Sequence, residues 1–363
     1  FGGNFTNEEI RAAVQLAHGA GRKIYVTVNV FPHNDDLVSL PDYLRFLAQA
    51  DVDAVLVADL GLFMLAREVA PDLPVHISTQ ANNVNWRTVC AWQKLGAERV
   101  VLARELSREE IREIRRHTDV ELELFVHGAM CISYSGRCLL SSYFTGRDAN
   151  RGGCAQSCRW KYALVEASRP GEYYPVEEDE RGTYIMNSKD LRGIEVVEKL
   201  AKIGVDSLKV EGRTKSLYYV ARVAQSYRKA IDDAVAGRPF DYSLLSELEG
   251  LANRGYTSGF LERHQTQDYQ NYLSGHSIAK QSQYVGHVTE IDENGWATIE
   301  VKNRFAVGDS LEIIHPSGNQ TIKLEQMTRK GQPVDVASGN GIQVKIPNMQ
   351  GKEKALVARI MNP

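Results

Sequence analysis

Apolar side chains along this 363-residue chain follow two successive rhythms. In the first, short β-branched runs at 24–30, 53–59, 75–80, 99–104 and 120–127 alternate with stretches whose apolar positions recur every three or four residues. Successive runs begin 21 to 29 residues apart, the rhythm of consecutive strand–helix units that build a parallel sheet. Two capping boxes mark helix starts: Thr6 with Glu9, followed by Ile10, Ala13, Val14 and Ala17 at helical spacing, and Ser107 with Glu110. In each, the hydroxyl is placed to take the N–H three residues on, while the carboxylate reaches back. Residues 184–187 and 207–211 add two strand candidates, the second leading into a helix over about 216–235. Even spacing, with no glycine-rich dinucleotide fingerprint after an early strand, favours a TIM-like (β/α) barrel over an open doubly wound sheet. The chain opens on a helix and without Met, so the expected α/β barrel lacks its first strand or strands in this chain.

From about residue 281 the period changes to two. Alternating runs at 284–291, 296–302, 310–315, 321–327, 342–346 and 356–360 predict a small C-terminal β-barrel domain;. The expected organisation is a barrel over 1–263 with a cysteine-rich insertion at 128–161 and an acidic hairpin at 169–183, a linker at 264–282, and the β-barrel domain over 283–363.

Composition narrows the class. With 43% hydrophobic and 25% charged residues the chain has material for a core and is neither disordered nor a disulfide scaffold;. No apolar run approaches the roughly 20 residues of a membrane span, and no signal-peptide pattern opens the chain, so the expected location is the cytoplasm, with no membrane partner. A net charge of −3 excludes a body that coats nucleic acid through overall charge, leaving local basic patches;. No zincin helix, nucleophile elbow or Walker loop occurs.

Four of the five cysteines, Cys131, Cys138, Cys154 and Cys158, lie within 28 residues. Soft thiolates in fours suit zinc or an iron–sulfur cluster, and the neighbouring Arg137, Arg151, Arg159 and Lys161 favour the deprotonated sulfur. Uneven spacing without a CxxC knuckle suits the cluster better, with zinc or plain reduced thiols as alternatives. Cys90, in a helical pattern, reads as a core cysteine. Between 128 and 161 five basic residues face one acid, Asp148, which is either a solvated loop or a landing surface for the phosphates of RNA or a small anion;.

A second constellation, Lys209, Glu211, Gly212, Arg213, Thr214, Lys215 and Ser216, runs from a strand end into a helix start. It could hold a carboxylate or phosphate on its cations and free amides, or could be an ion pair closing the barrel. Glu211 would project into the mouth, for acid–base work or to orient Arg213. Asn29, Asp59, His76, Ser78, Gln80, Arg104, Glu105 and His127 stand at strand ends, where barrel enzymes keep their sites and where structural hydrogen-bonders also occur. His127 precedes the cysteines as a ligand or a donor to one.

The stretch 123–141, ELELFVHGAMCISYSGRCLLS from its Glu121 lead-in, resembles the signature of the peptidase U32 family. The likeness extends to 76–80, 101–105, 153–160 and 209–219, covering the barrel, and the β-rich end resembles a C-terminal domain of part of that family. The resemblance implies either collagenase-type proteolysis or iron–sulfur hydroxylation of ubiquinone precursors, ribosomal RNA or the tRNA wobble uridine. Residues 146–160 and 211–216 are most similar to the tRNA branch, prephenate-dependent hydroxylases that form 5-hydroxyuridine. On that likeness Cys131, Cys138, Cys154 and Cys158 hold a cluster, 4Fe–4S, with zinc as the alternative. Glu211, His127 and Arg104 are then the catalytic candidates. Arg213, Lys215, Ser78, Gln80, Asn29 and Glu105 are the substrate-binding ones, with Arg213, Lys215 and Arg104 placed for an anionic hydroxyl donor such as prephenate. The implied partners are tRNA, that donor and an electron donor; oligomeric state is left open. The alternatives are a U32-type peptidase and an RNA-binding protein with structural zinc.

Overall fold

The computed structural model describes residues 4–159, 164–165, 173–174, 189–213, 215–251, 253, 255–262 and 282–361. Contacts divide the chain into two units: Phe1–Thr214 with Ile231–Phe240 and Arg254–His276, and Lys215–Ala230 with Asp241–Asn253 and Ser277–Pro363.

In the first unit the elements run α1 (Asn7–Gly19), β1 (Tyr25–Thr27), α2 (Leu40–Gln49), β2 (Ala54–Val57), α3 (Leu60–Val69), β3 (Val75–Ile77), α4 (Trp86–Leu95), β4 (Arg99–Val101), α5 (Arg108–Arg115) and β5 (Glu121–Ala129). They continue through α6 (Leu140–Thr145), the hairpin β6 (Leu164–Val165) and β7 (Tyr173–Tyr174), β8 (Asp190–Arg192), α7 (Val197–Ile203) and β9 (Ser207–Val210). Both predicted capping boxes are present, at Thr6 with Glu9 and at Ser107 with Glu110. Strands β1 to β5 pair in sequence order, all parallel, and β9 adds to β5 in the same sense.

The sheet is rolled. Tyr25 of β1 lies 4.9 Å from the His76 ring of β3 and 5.2 Å from the Arg99 guanidinium of β4, whereas a flat sheet would hold β1 and β4 roughly 14 Å apart. Side chains from non-adjacent strands therefore meet inside the curve, as in the expected barrel. The core is apolar: Ala54, Val55, Val57, Ile77, Val100 and Leu122 are fully buried. Two features correct the expectation of a uniformly parallel sheet. Strand β8, not anticipated from the sequence, runs antiparallel to the end of β5, pairing Gly128 with Leu191. The short β10 (Tyr256–Thr257) then pairs with β8. The strand expected at 184–187, the acidic run within the expected hairpin and the 264–281 part of the linker lie outside the described residues.

The second unit holds α8 (Leu217–Val235) up to Ala230, α9 (Ser243–Glu249) and the C-terminal strands β11 (Ser282–Ile291), β12 (Ala297–Val301), β13 (Phe305–Ala306), β14 (Ser310–Ile314), β15 (Gln320–Lys323), β16 (Thr328–Arg329), β17 (Gln332–Pro333), β18 (Val336–Ala337), β19 (Gln343–Ile346) and β20 (Leu356–Ile360). An antiparallel sheet in the order β15-β14-β20-β11-β12-β19-β16-β17 surrounds Val285, Ile299, Phe305, Leu311, Ile313 and Val357, all at most 1% exposed. The six predicted strands are present; the two-residue strands β13, β16, β17 and β18 are too short to leave a period-two signal.

Residues 215–230 and 241–253, placed with the barrel from sequence, group by contact with these strands instead. Arg222 donates to Glu312 at 2.8 Å, Tyr218 shares a hydrogen bond with Ser282, and Tyr218 stacks on Tyr284. An amphipathic pattern reveals that a face is covered but not what covers it. Among the described residues no helix is long and apolar enough to cross a membrane.

Candidate active site

The C-terminal ends of the parallel strands carry a connected polar network. After β3 the chain turns into a short helical turn capped by Ser78, whose Oγ accepts the Gln80 N–H at 3.3 Å and the Asn29 side-chain amide at 3.1 Å. The cysteine segment is tied to the same point. Asn150 donates to Gln80 Oε1 at 2.9 Å and accepts the Phe31 N–H at 2.7 Å, and Asn82 donates to the carbonyls of Gln80 and Ser135. The structure thus brings together Asn29, Ser78 and Gln80 of the predicted set. It adds Asn150 and Asn82, which sequence reasoning missed: an asparagine in an irregular segment gives no sign of its partner.

Strand β5 runs past His127 into that segment. Cys131 and Cys154 are exposed and Cys138 and Cys158 half-buried, and none of them is paired in a disulfide. The segment is shaped by its own hydrogen bonds, from Ala155 N–H to Ser141 Oγ, from Arg147 Nε to the Gly153 carbonyl, and from Gln156 N–H to Cys154 Sγ. In kind, four thiols suit a soft metal centre. In position, no three His, Cys, Asp or Glu side chains are grouped as a metal site among the described residues. Arg151 is committed to Asp36 through two bonds of 2.8 and 2.6 Å, which hold that carboxyl far below its ordinary range. This removes one of the cations the sequence offered for thiolates or anions. Cys90, in α4, donates to the His117 carbonyl, a structural bond.

Glu211 follows β9, its N–H bonded to the His127 carbonyl. Its Oε1 accepts the Arg213 N–H at 3.0 Å, so the carboxylate braces the turn that presents Arg213. Gly128 makes this approach possible: at φ +105°, a Cβ there would fall 2.6 Å from the Glu211 carbonyl oxygen;. Gly152, at φ +84°, gives way in the same manner to the Arg213 guanidinium, 2.9 Å from where its Cβ would be. Arg213 therefore lies against the cysteine segment. Arg104 donates to the Ala129 carbonyl at 2.8 Å and stacks 3.9 Å over Phe125, with its Nε buried and without a hydrogen-bond partner. The neighbouring Glu105 has an unpartnered buried Oε2, and burial raises its carboxyl. His127 is 1% exposed, its ring 5.4 Å from Tyr256.

Four of the sequence candidates take other places. Lys209 does not serve the anion site: its Nζ lies 2.7 Å from Glu123 Oε1 inside the rolled sheet. Glu123, 5% exposed, also receives Arg99 at 3.0 Å and the Ser207 hydroxyl at 2.9 Å. Burial pushes its carboxyl up, but Lys209 and these partners hold it below its ordinary value;. His76 is an interior residue rather than a strand-end one, its imidazole pushed down to about 4 by burial and by Arg99. Asp59 caps α3, accepting the Leu62 N–H. Lys215 belongs to the second unit, with Nζ 4.7 Å from the Tyr219 ring centre.

Two family descriptions match nearly the whole chain: "Peptidase family U32" over residues 1–271 and "Peptidase family U32 C-terminal domain" over residues 280–359. The chain belongs to peptidase family U32. Within it, "tRNA hydroxylation protein P" of Escherichia coli (strain K12) is 48% identical over 390 aligned residues, which span 96% of this chain and 86% of that protein. The Haemophilus influenzae protein of the same name is 44% identical, over 98% of this chain and 87% of its own. A Porphyromonas gingivalis protein named "Collagenase" is 29% identical, over 95% of this chain and 85% of its own. The stretch 123–141, which resembles the family's signature, lies on β5 and the segment that follows it.

Proposed function

We propose that this protein is a tRNA hydroxylase, forming 5-hydroxyuridine at the wobble position with prephenate as the hydroxyl donor. The observation that carries the reading is the 48% identity, along 96% of the chain, to a protein named for tRNA hydroxylation. The strand ends support it. Arg213 and Arg104 supply cations near the cysteine segment for a small carboxylate donor, and Arg104 retains an unused buried N–H;. Asn29, Ser78 and Gln80 form a rigid amide and hydroxyl edge of the kind that orients a uracil, and Glu211 keeps Arg213 in place through its backbone. Cys131, Cys138, Cys154 and Cys158 would hold an iron–sulfur cluster, which supplies one-electron transfer when bound.

The test has two readouts. Iron, zinc and acid-labile sulfide per chain after anaerobic purification distinguish a cluster from zinc. Nucleoside analysis of tRNA from cells lacking the protein, complemented with wild type or with Cys131→Ser, reads the reaction. Hydroxyuridine restored by wild type and lost in Cys131→Ser supports the proposal; full restoration by Cys131→Ser overturns the cluster scheme. The relative named "Collagenase" motivates one rival arm, incubation with denatured collagen. Clean turnover there, without restored hydroxyuridine, would replace hydroxylation by proteolysis.

A further inference from the structure

We propose that a shallow depression beside the cysteine segment binds an unpaired nucleobase of single-stranded RNA, stacked on Tyr134. This deepens the tRNA reading and rests on it: the bound base would be a neighbour of the target uridine in the same loop.

The depression, of about 400 Å³, is lined by Asn82, Val84, Ser133, Tyr134 and Arg137. Its features are those of a stacking platform rather than of a buried active-site pocket. Tyr134 is 47% exposed and Val84 39%, so apolar surface lies open there. Arg137 is also exposed, with its guanidinium 4.8 Å from the Phe31 ring centre, so a planar cation lies at the rim. Asn82 has spent its amide donor on the Gln80 and Ser135 carbonyls, and its Oδ1 is buried, so this residue shapes the floor of the depression. A planar cation and an aromatic face together match a base that offers a carbonyl and a π surface. Charge favours the same occupant: the exposed guanidinium of Arg137 at the rim can meet a backbone phosphate;. A duplex would keep its bases stacked on one another and could not offer one to Tyr134.

The protein, purified anaerobically, is titrated with two fluorescent RNAs, a stem with an all-uridine loop and the same stem closed as a continuous duplex. Wild type should bind the loop RNA more tightly. Tyr134→Ala should weaken loop binding about tenfold, with little change in duplex binding or in salt dependence, because stacking is not electrostatic. Tyr134→Phe should retain wild-type binding, which a general folding defect would not allow. Arg137→Ala should lower the slope of log affinity against log salt by about one. Equal binding of loop and duplex by wild type, unchanged loop binding by Tyr134→Ala, or failure of Tyr134→Phe to restore it would each overturn the proposal. Tyr134-dependent loop binding by a protein that restores no hydroxyuridine would leave this site standing and remove the hydroxylase reading. Restored hydroxyuridine with Tyr134-independent binding would do the reverse.

Discussion

Asn150 and Gln80, 70 positions apart, share a hydrogen bond of 2.9 Å that fastens the cysteine segment to the end of β3. Asn150 also accepts the Phe31 N–H, so one side chain joins the segment to two strand ends. Asn150→Ala removes both bonds and should loosen the segment locally by about 2 kcal/mol. Amide hydrogen exchange across residues 131–158 should then accelerate more than tenfold while β2 and β3 keep their protection. Unchanged exchange in the segment would refute this anchoring role.

The Glu123 site predicts a large loss of global stability. Glu123→Gln preserves shape but leaves Arg99 and Lys209 facing a neutral amide inside the rolled sheet. The expected cost is about 3 kcal/mol, read as a lower urea midpoint at constant slope. Lys209→Met, which removes one cation and leaves Arg99 and Ser207 on the carboxylate, should cost less.

His76 predicts an acid limb. Its ring stays neutral when folded down to about pH 4, whereas in the unfolded chain it takes a proton near 6.5. Between those values the unfolded state binds the extra proton, so stability falls as pH falls, by about 3 kcal/mol in all. Urea midpoints measured from pH 7 to pH 4 should show this decline in wild type and a flatter profile in His76→Gln.

The two glycines at the Glu211 and Arg213 turn separate stability from function. Gly128→Ala meets the Glu211 backbone at a positive φ and should cost at least about 2 kcal/mol, lowering the melting temperature;. Gly152→Ala meets only the end of the Arg213 side chain, along with its own positive φ. It should therefore lower the yield of hydroxylated tRNA by displacing the guanidinium, with a smaller thermal shift. A Gly152→Ala protein of full activity would argue against a role for Arg213.

The strands and capped helices of the first unit, and six strands of the second, were legible because each writes a local period that neighbouring residues share. The candidate cysteines were legible as well, since rarity and clustering need no partner to be noticed. Contacts between distant residues were not. Lys209 and Arg213, four apart in sequence, looked like one cationic site, but Lys209 shares with Ser207 the face of β9 that meets Glu123, while Arg213, beyond the strand end, lies against Gly152. Glu123 was not singled out from the run at 120–127; only the rolled sheet gathers Arg99, Lys209 and Ser207 around it.

By itself, then, the amino-acid sequence determined most of the strands and helices of the first unit, six strands of the second and the family, all properties carried by residues close together or by their identity. Tertiary structure alone decided that β8 runs antiparallel to β5, that α8 up to Ala230 packs with the C-terminal strands, and that Asn150 locks onto Gln80. Those outcomes depend on which surfaces meet when the sheet rolls, and a one-dimensional pattern shows that a face is buried without showing its partner.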